Sequence, residues 1–262
     1  MSEVRAKKHL GQHFLTDSNI AKKIARSLEA KDYSNVLEIG PGMGILTAYL
    51  IERGFENFKV IEIDNEASEY LNRKFKDLDL IEGNFLSLDL DAYFDGKIGI
   101  IGNFPYNISS QIFFRVLEYR DKVYELAGML QKEVAERIVS GPGSKVYGIL
   151  SVLLQAYYKV EYLFTVPSGV FMPPPKVKSA MIRLIRKEKE QLDCKEKLFF
   201  SVVKITFNQR RKIIKNSLKP LIDTSGIDNP ILKKRPEELD VNGFIDLTNL
   251  VEATMKRNNI KK

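Results

Sequence analysis

The chain is poor in the side chains that cross-link or hold transition metals: its 262 residues include one cysteine, Cys194, two histidines, His9 and His13, and no tryptophan. A lone thiol excludes an internal disulfide, and three Cys and His residues fall short of the four that a structural zinc site built from them takes. Cys194 stands among charged residues, where an inert, partly exposed thiol is expected rather than a nucleophile. No apolar run approaches the about 20 residues that cross a bilayer. The opening MSEVRAKKHLGQHFL has basic residues but neither an apolar stretch nor a small-residue cleavage site, so no secretory signal is expected. These absences predict a soluble, cytoplasmic protein that binds no metal and no membrane. Acidic residues are also in deficit, with 34 Asp and Glu against 41 Lys and Arg, a formal +7. Such a surplus fits an acidic partner such as nucleic acid, and it is also common on ordinary proteins.

What is present is a globular composition, 44% hydrophobic and 29% charged, enough for a sizeable core in one large domain or a main domain plus a small one. Residues 17–30, DSNIAKKIARSLEA, set Ile20, Ile24 and Leu28 four apart behind a cap at Asp17 or Ser18, an amphipathic helix. VLEIG at 36–40 reads as a buried strand running into glycines. A helix over 46–53 follows, stopped by Gly54, and then a strand from Lys59. That strand–turn–helix–strand succession is a βαβ unit and implies a parallel sheet.

The alternation continues with helices over 66–75, 110–119, 132–139 and 149–156. Strands are expected near 80–82, 98–104, 124–130, 158–166 and 180–185, the last two as an antiparallel hairpin at the sheet edge. GPGSK at 141–145 is a loop. The polar run 187–195 reads as a linker between a domain of residues 1–187 and an all-helical one of 188–262, with helices around 196–207, 211–221 and 241–254.

EIGPGMG puts Gly40, Gly42 and Gly44 between a strand and a helix, where backbone amides and the positive helix end can face an anionic group without a Cβ in the way. The dinucleotide fingerprint G-x-G-x-x-G is not met. Glu62 ends the next strand, placed for its carboxylate to accept both hydroxyls of a ribose. A dinucleotide or S-adenosylmethionine would use such an acid, and only the second commonly accepts this glycine spacing. Asn103-Phe104-Pro105-Tyr106 ends the fourth strand at the same edge. Asparagine and proline there are also routine turn chemistry, but the position lets an amide oxygen, a carbonyl and an aromatic face converge on one crevice.

With these motifs in view the chain resembles the KsgA family of ribosomal RNA adenine N6,N6-dimethyltransferases, S-adenosylmethionine-dependent enzymes with a Rossmann-like seven-stranded sheet and a small helical C-terminal domain. The resemblance runs in order through KKHLGQHFLTD (7–17), EIGPGMG (38–44), VIEID (60–64), GNFPYNIS (102–109), VFMPPPKVKSAMIRL (170–184) and FNQRRKIIKNSL (207–218). It implies that His13 and Leu15 touch the cofactor S-adenosylmethionine. It implies that Gly40, with Gly42 in the same turn, approaches the methionine moiety, that Glu62 beside Ile63 binds the ribose, and that Asn84 with the Phe85 amide reads the adenine. Asn103 is then expected between the methyl group and the target amine, with Tyr106 and Phe171 sandwiching the target base. Two departures stand out. The family usually has Asp at the Asn84 position, so a charge-assisted bond, about twice as strong as a neutral one, is lost there. Phe104 replaces the commoner Leu or Ile, tolerable because its backbone carbonyl is the working group.

The resemblance further implies a partner and a reaction. Asn103, the Phe104 carbonyl and Pro105 would bind the adenine N6 amine for in-line methyl transfer, with no side-chain base. The expected substrate is two adjacent adenosines in a 3′-terminal hairpin loop of small-subunit rRNA, in the small ribosomal subunit or its assembly intermediate, met by a monomer. Residues 188–262 hold 16 basic and 11 acidic side chains against 25 and 23 in 1–187. Arg210, Arg211, Lys212 and Lys215 are therefore expected on an RNA-docking helix. Two other readings are a large-subunit rRNA methyltransferase of the antibiotic-resistance type and a non-catalytic nucleic-acid factor of the same fold.

Overall fold

The computed structural model describes residues 4–188 and 191–260, so residues 189 and 190 of the expected linker lie outside the described residues. Among those described, no helix is long and apolar enough to cross a membrane. Two short strands, β1 (Phe14–Leu15) and, far along the chain, β8 (Phe171–Met172), pair antiparallel in a ribbon that the sequence pattern does not reveal. Helix α1 (Ser18–Ala25) begins where a carboxylate can cap it, the Asp17 Oδ1 accepting the Ile20 N–H at 2.9 Å, and buries Ala21, Ile24 and Ala25.

The βαβ succession then follows as β2 (Asn35–Ile39), α2 (Ile45–Ile51), β3 (Asn57–Glu62), α3 (Asn65–Lys74), β4 (Asp79–Glu82), β5 (Ile98–Asn103), α4 (Ser109–Glu118) and β6 (Val123–Gln131). After α5 (Lys132–Val139) and α6 (Ile149–Tyr157) come β7 (Tyr158–Val166) and, beyond β8, β9 (Ser179–Arg186). Seven strands form one sheet in the order β4-β3-β2-β5-β6-β9-β7, as expected for a Rossmann-like methyltransferase sheet. β2 pairs parallel with β3 on one side and β5 on the other, so the chain reverses its direction of travel at β2. A crevice opens at the carboxyl ends of strands at such a switch point.

The two closing strands neighbour each other at the sheet edge, where the hairpin is expected, with the later strand on the inside. β9 enters between β6 and β7, antiparallel to β6 with Met129 opposite Met181, and β7 takes the edge. Burial explains the order: Ala180, Met181, Ile182 and Leu184 are all fully buried, as an interior strand requires, whereas most of β7 is only half-buried.

The chain divides into two compact units, residues 1–135 with 159–186, and residues 136–158 with 187–262. A linear boundary at 187 would leave 136–158 with the sheet. Instead α6, which buries Leu150, Val152, Leu153, Leu154, Ala156 and Tyr157 and so has little polar face, packs against α7 (Glu196–Asn208) and α9 (Val241–Ile260). In that unit Phe207 and Phe244 stack at 5.7 Å and Tyr147 meets Phe207 edge-on. The helix expected over 211–221 shrinks to the four-residue α8 (Ile214–Ser217). The Ile214 N–H goes to the Lys234 carbonyl at 2.8 Å, which draws Ile213 into an extended conformation and ends any continuous helix. Arg210, Arg211 and Lys212 consequently stand in a turn, and only Lys215 of that group is helical.

Candidate active site

The crevice at the carboxyl edge of β2, β3, β4 and β5 is a cavity lined by Leu10–Phe14, the glycine turn, Glu62 and Ile63, residues 83–86 and residues 103–108. Gly40, at φ +67°, presents bare backbone to it: a Cβ there would meet nothing nearer than the Asn103 carbonyl at 3.9 Å. The space a side chain would fill is the space a ligand can use. Gly42 serves packing, since a Cβ would come within 2.8 Å of the Phe14 ring.

Glu62 knits this wall together. Its Oε1 accepts the Ile63 and Asp64 N–H groups at 2.9 and 3.0 Å, and its Oε2 accepts the Gly42 N–H at 3.1 Å. The side chain is 4% exposed, and burial pushes its pKa up despite those three donors. Oε2 retains a lone pair for a further donor. One strand over, burial pushes the carboxyl of Glu38 up to about 8.

Asn84 caps the short turn 85–87, its Oδ1 accepting the Leu86 N–H at 2.9 Å. The Phe85 N–H has no acceptor among the described residues and stands at the cavity wall. Ile63, Phe85 and Leu86 provide apolar surface for a flat ring there. Bare glycine backbone, an acid beside it and an apolar slot with a spare amide fit S-adenosylmethionine.

At the end of β5 the Asn103 Nδ2 donates to the His13 carbonyl at 2.9 Å. A carbonyl can only accept, so this contact fixes the amide's orientation and leaves Oδ1 without a donor among the described residues. Beside it, nothing described donates to the Phe104 carbonyl. The Phe104 ring turns into the core, 1% exposed, edge-on to Phe113 and over Gly128, where a Cβ would come within 2.4 Å of it. A glycine on β6 is what accommodates the larger residue.

Tyr106 lies against the cavity with its Oη 2.5 Å from the Ser179 Oγ and its ring 5.4 Å from that of His13, tilted by 34°. Burial pushes its phenol pKa up. The His13 Nδ1 is 2.7 Å from the Pro173 carbonyl and must carry a proton to bond with it.

The cavity thus brings together His13, Gly40, Gly42, Glu62, Ile63, Asn84, Phe85, Asn103, Phe104, Pro105 and Tyr106. Leu15 and Phe171 do not join them. They are register partners in the β1–β8 ribbon, 5% and 4% exposed, in a core cluster with Leu46, Met129 and Met181. Residues directly opposite each other share a face, and here it is the face turned to the core. Phe14, which alternates with Leu15, is the one that lines the cavity. Sequence reasoning also missed Gly11, Gln12, Leu86, Asn107 and Ile108, although most are immediate neighbours of motif residues. Cys194 is half-buried, its thiol pushed up to about 11 by burial and by Glu196, Asp193 and Glu252, in keeping with an inert group.

A family model described as ribosomal RNA adenine dimethylase matches residues 3–237. The chain is 56% identical over 257 residues to the ribosomal RNA small subunit methyltransferase A of Flavobacterium johnsoniae, covering 97% of this chain and 98% of that protein. It is 54% identical over 261 residues to the protein of the same name from Parabacteroides distasonis, covering 98% of each. Among solved structures, a dimethyladenosine transferase from Plasmodium falciparum is similar with a TM-score of 0.74 at 27% identity, over 92% of this chain and 97% of that one. The 23S rRNA methyltransferase ErmE is similar with a TM-score of 0.68 at 25% identity, over 90% and 99%. A match that takes in the glycine turn, the acid that ties it down and the Asn103–Tyr106 strand end makes this chain a member of the ribosomal RNA adenine dimethylase family.

Proposed function

We propose that the protein uses S-adenosylmethionine to dimethylate the N6 amines of two adjacent adenosines in a 3′-terminal hairpin loop of small-subunit (16S) rRNA during ribosome biogenesis. The observation that carries this reading is the pair of unoccupied acceptors, the Asn103 Oδ1 and the Phe104 carbonyl, side by side on the cavity that also holds the glycine turn.

An exocyclic adenine amine is a poor nucleophile because its lone pair is delocalised into the ring. Two acceptors that take its two N–H groups favour a pyramidal nitrogen with the lone pair aimed along the remaining direction. S-adenosylmethionine, when bound, supplies an electrophilic methyl on a sulfonium sulfur. The nitrogen-to-carbon bond forms as the sulfur-to-carbon bond breaks, and positive charge arrives on nitrogen. The Asn103 and Phe104 oxygens, already oriented, stabilise that charge without reorganising. The alkylated amine is acidic enough to release its proton to water. Pro105 contributes no competing N–H. With Phe171 in the core, Tyr106 is the aromatic that receives the base, a stack of about 1–3 kcal/mol. Such a slot takes a base that is unpaired or extruded, which suits a loop.

Arg211, Lys212 and Lys215 are exposed, and we assign them, with the helical unit, to RNA phosphates. Arg210 is committed in part to its own unit, donating to the Ser144 carbonyl at 3.1 Å, with its Nε 3.9 Å from Glu237. The likeness to ErmE is the observation behind a large-subunit substrate, and it rests on much lower identity than the small-subunit relatives. The deciding experiment incubates the protein and methyl-labelled S-adenosylmethionine separately with unmodified small and large subunits. Label in small-subunit rRNA is expected. Label confined to the large subunit overturns the substrate assignment, and none in either overturns the catalytic one.

A further inference from the structure

Ser179 is the first residue of β9, fully buried, and opposite Gln131 of β6. The Lys178 carbonyl just before it accepts the Lys132 N–H at 3.0 Å, so the backbone is held at the point where the largely exposed loop 173–178 rejoins the sheet. A buried hydroxyl needs a partner, and the one Ser179 has is the Tyr106 Oη at 2.5 Å, from a residue 73 positions earlier in the chain. The Tyr106 carbonyl accepts the Ser109 Oγ at 3.3 Å, but its side chain has no second hydrogen bond among the described residues; the other specific neighbour of the ring is His13. A Tyr ring on a turn has two free torsions; tying down its far end fixes the first, and because the hydroxyl lies on the axis of the second, ring rotation is restrained by the His13 ring beside it.

We propose that Ser179 is a positioning residue for methyl transfer: through its bond to the Tyr106 hydroxyl it fixes the position of the ring on which the target base stacks, while the His13 ring restrains its plane. The inference rests on the reading of Tyr106 as the base platform. The same loop is tied to the site at its other end, where the Pro173 carbonyl meets the His13 Nδ1 at 2.7 Å. His13 and Ser179 therefore hold the Tyr106 ring from its face and from its tip. A ring set in advance lowers the entropy lost when the base enters, so the benefit should fall on the RNA substrate and not on S-adenosylmethionine.

The test is a double-mutant cycle in the full-length protein with Ser179→Ala, Tyr106→Phe and the pair together. It is read as kcat/KM for methyl transfer to unmodified small subunits and as the Kd for S-adenosylmethionine by calorimetry. Each single change cuts the same hydrogen bond while keeping the aromatic ring itself. Each should therefore lower kcat/KM by about five- to tenfold, the size of one lost hydrogen bond, with the cofactor Kd held within twofold. The double variant should be no worse than either single one. Losses that multiply in the double variant, a Ser179→Ala enzyme at wild-type rate, or a matching loss of cofactor affinity would each overturn the proposal. Tyr106→Leu separates the two layers. If it transfers normally, the platform reading fails and the proposal with it. If it is crippled while Ser179→Ala is not, only the role of Ser179 fails.

Discussion

Residues 1–135 with 159–186, the unit that holds the sheet and the cavity, carry 22 basic and 22 acidic side chains, whereas residues 136–158 with 187–262 carry 19 and 12. The whole +7 belongs to the helical unit. A cut at residue 187 had spread it as +2 and +5, and the folded division concentrates it because 136–158 and Lys187 bring three cations and one acid across. In the sheet unit acids equal cations in number, and Arg183 pairs with both Glu161 and Glu29. Its cavity is lined by acceptors and apolar walls. On the proposed function the contrast separates two jobs: oriented neutral dipoles would set the rate, and a surplus of cations would set salt-dependent attraction to a polyanion.

The severest test of that separation is Asn103→Ala. It deletes one of the two acceptors and strips the His13 carbonyl of its donor. Loss of a single preoriented polar group of this kind costs about 10²–10³ in kcat, and this one also sets geometry, so transfer to small subunits should fall at least a hundredfold. Binding to subunits and its salt dependence should stay near wild type. If binding collapses together with the rate, Asn103 holds RNA or the fold, and the division of labour is wrong.

Arg211→Ala and Lys212→Ala probe the other side. Both residues are exposed in the turn after α7. Each phosphate contact removed should flatten the slope of log affinity against log salt by about 0.7–0.9. The rate at saturating subunit and the affinity for S-adenosylmethionine should be unmoved. An unchanged slope in the paired variant would place the RNA contact elsewhere on the helical unit. Arg210→Ala should behave differently, lowering the melting temperature as well, because its guanidinium also holds the Ser144 carbonyl.

The contrast between the units also marks where reading the sequence succeeded. β2 and β3 were legible because apolar runs of Val, Leu and Ile end in glycines or an acid, and Asp17 announced α1 through a local cap. The expected roles of His13 and Asn84 came from the resemblance, since composition and periodicity reach only a βαβ unit with a glycine turn and the Asn103–Tyr106 strand end at the same edge. What failed depended on distant partners. A two-residue strand has no period, so nothing local said that Leu15 and Phe171 would face the core. The turn at 210–212 is made by Lys234, and the setting of Tyr106 by Ser179. The allegiance of α6 was hidden because an apolar helix fits under a sheet as well as among helices.

The smallest effect concerns the strap that carries Gln12 and His13 to the cavity. The Asp64 side chain, fully buried, accepts the Lys7 Nζ at 2.5 Å, the Gln12 Nε2 at 3.0 Å and the Glu66 N–H at 3.1 Å. Burial pulls its pKa up, but the bonds from Lys7, Gln12 and Glu66 outweigh that and hold the carboxyl below its ordinary value. A carboxylate depressed in the folded state contributes its stability in full above the unfolded value of about 3.9, and loses it as pH falls through the lower folded value. The melting-temperature gap between wild type and Asp64→Asn should therefore be flat from pH 8 to about 5 and close only in the acid range. A gap that changes between pH 6 and 8 would mean that another group holds the strap. Lys7→Ala removes only the partly exposed end of this contact, and such pairs are individually weak. Its S-adenosylmethionine Kd at pH 7 should rise by no more than about threefold, with the salt slope for subunits unchanged, because the strap belongs to the neutral unit.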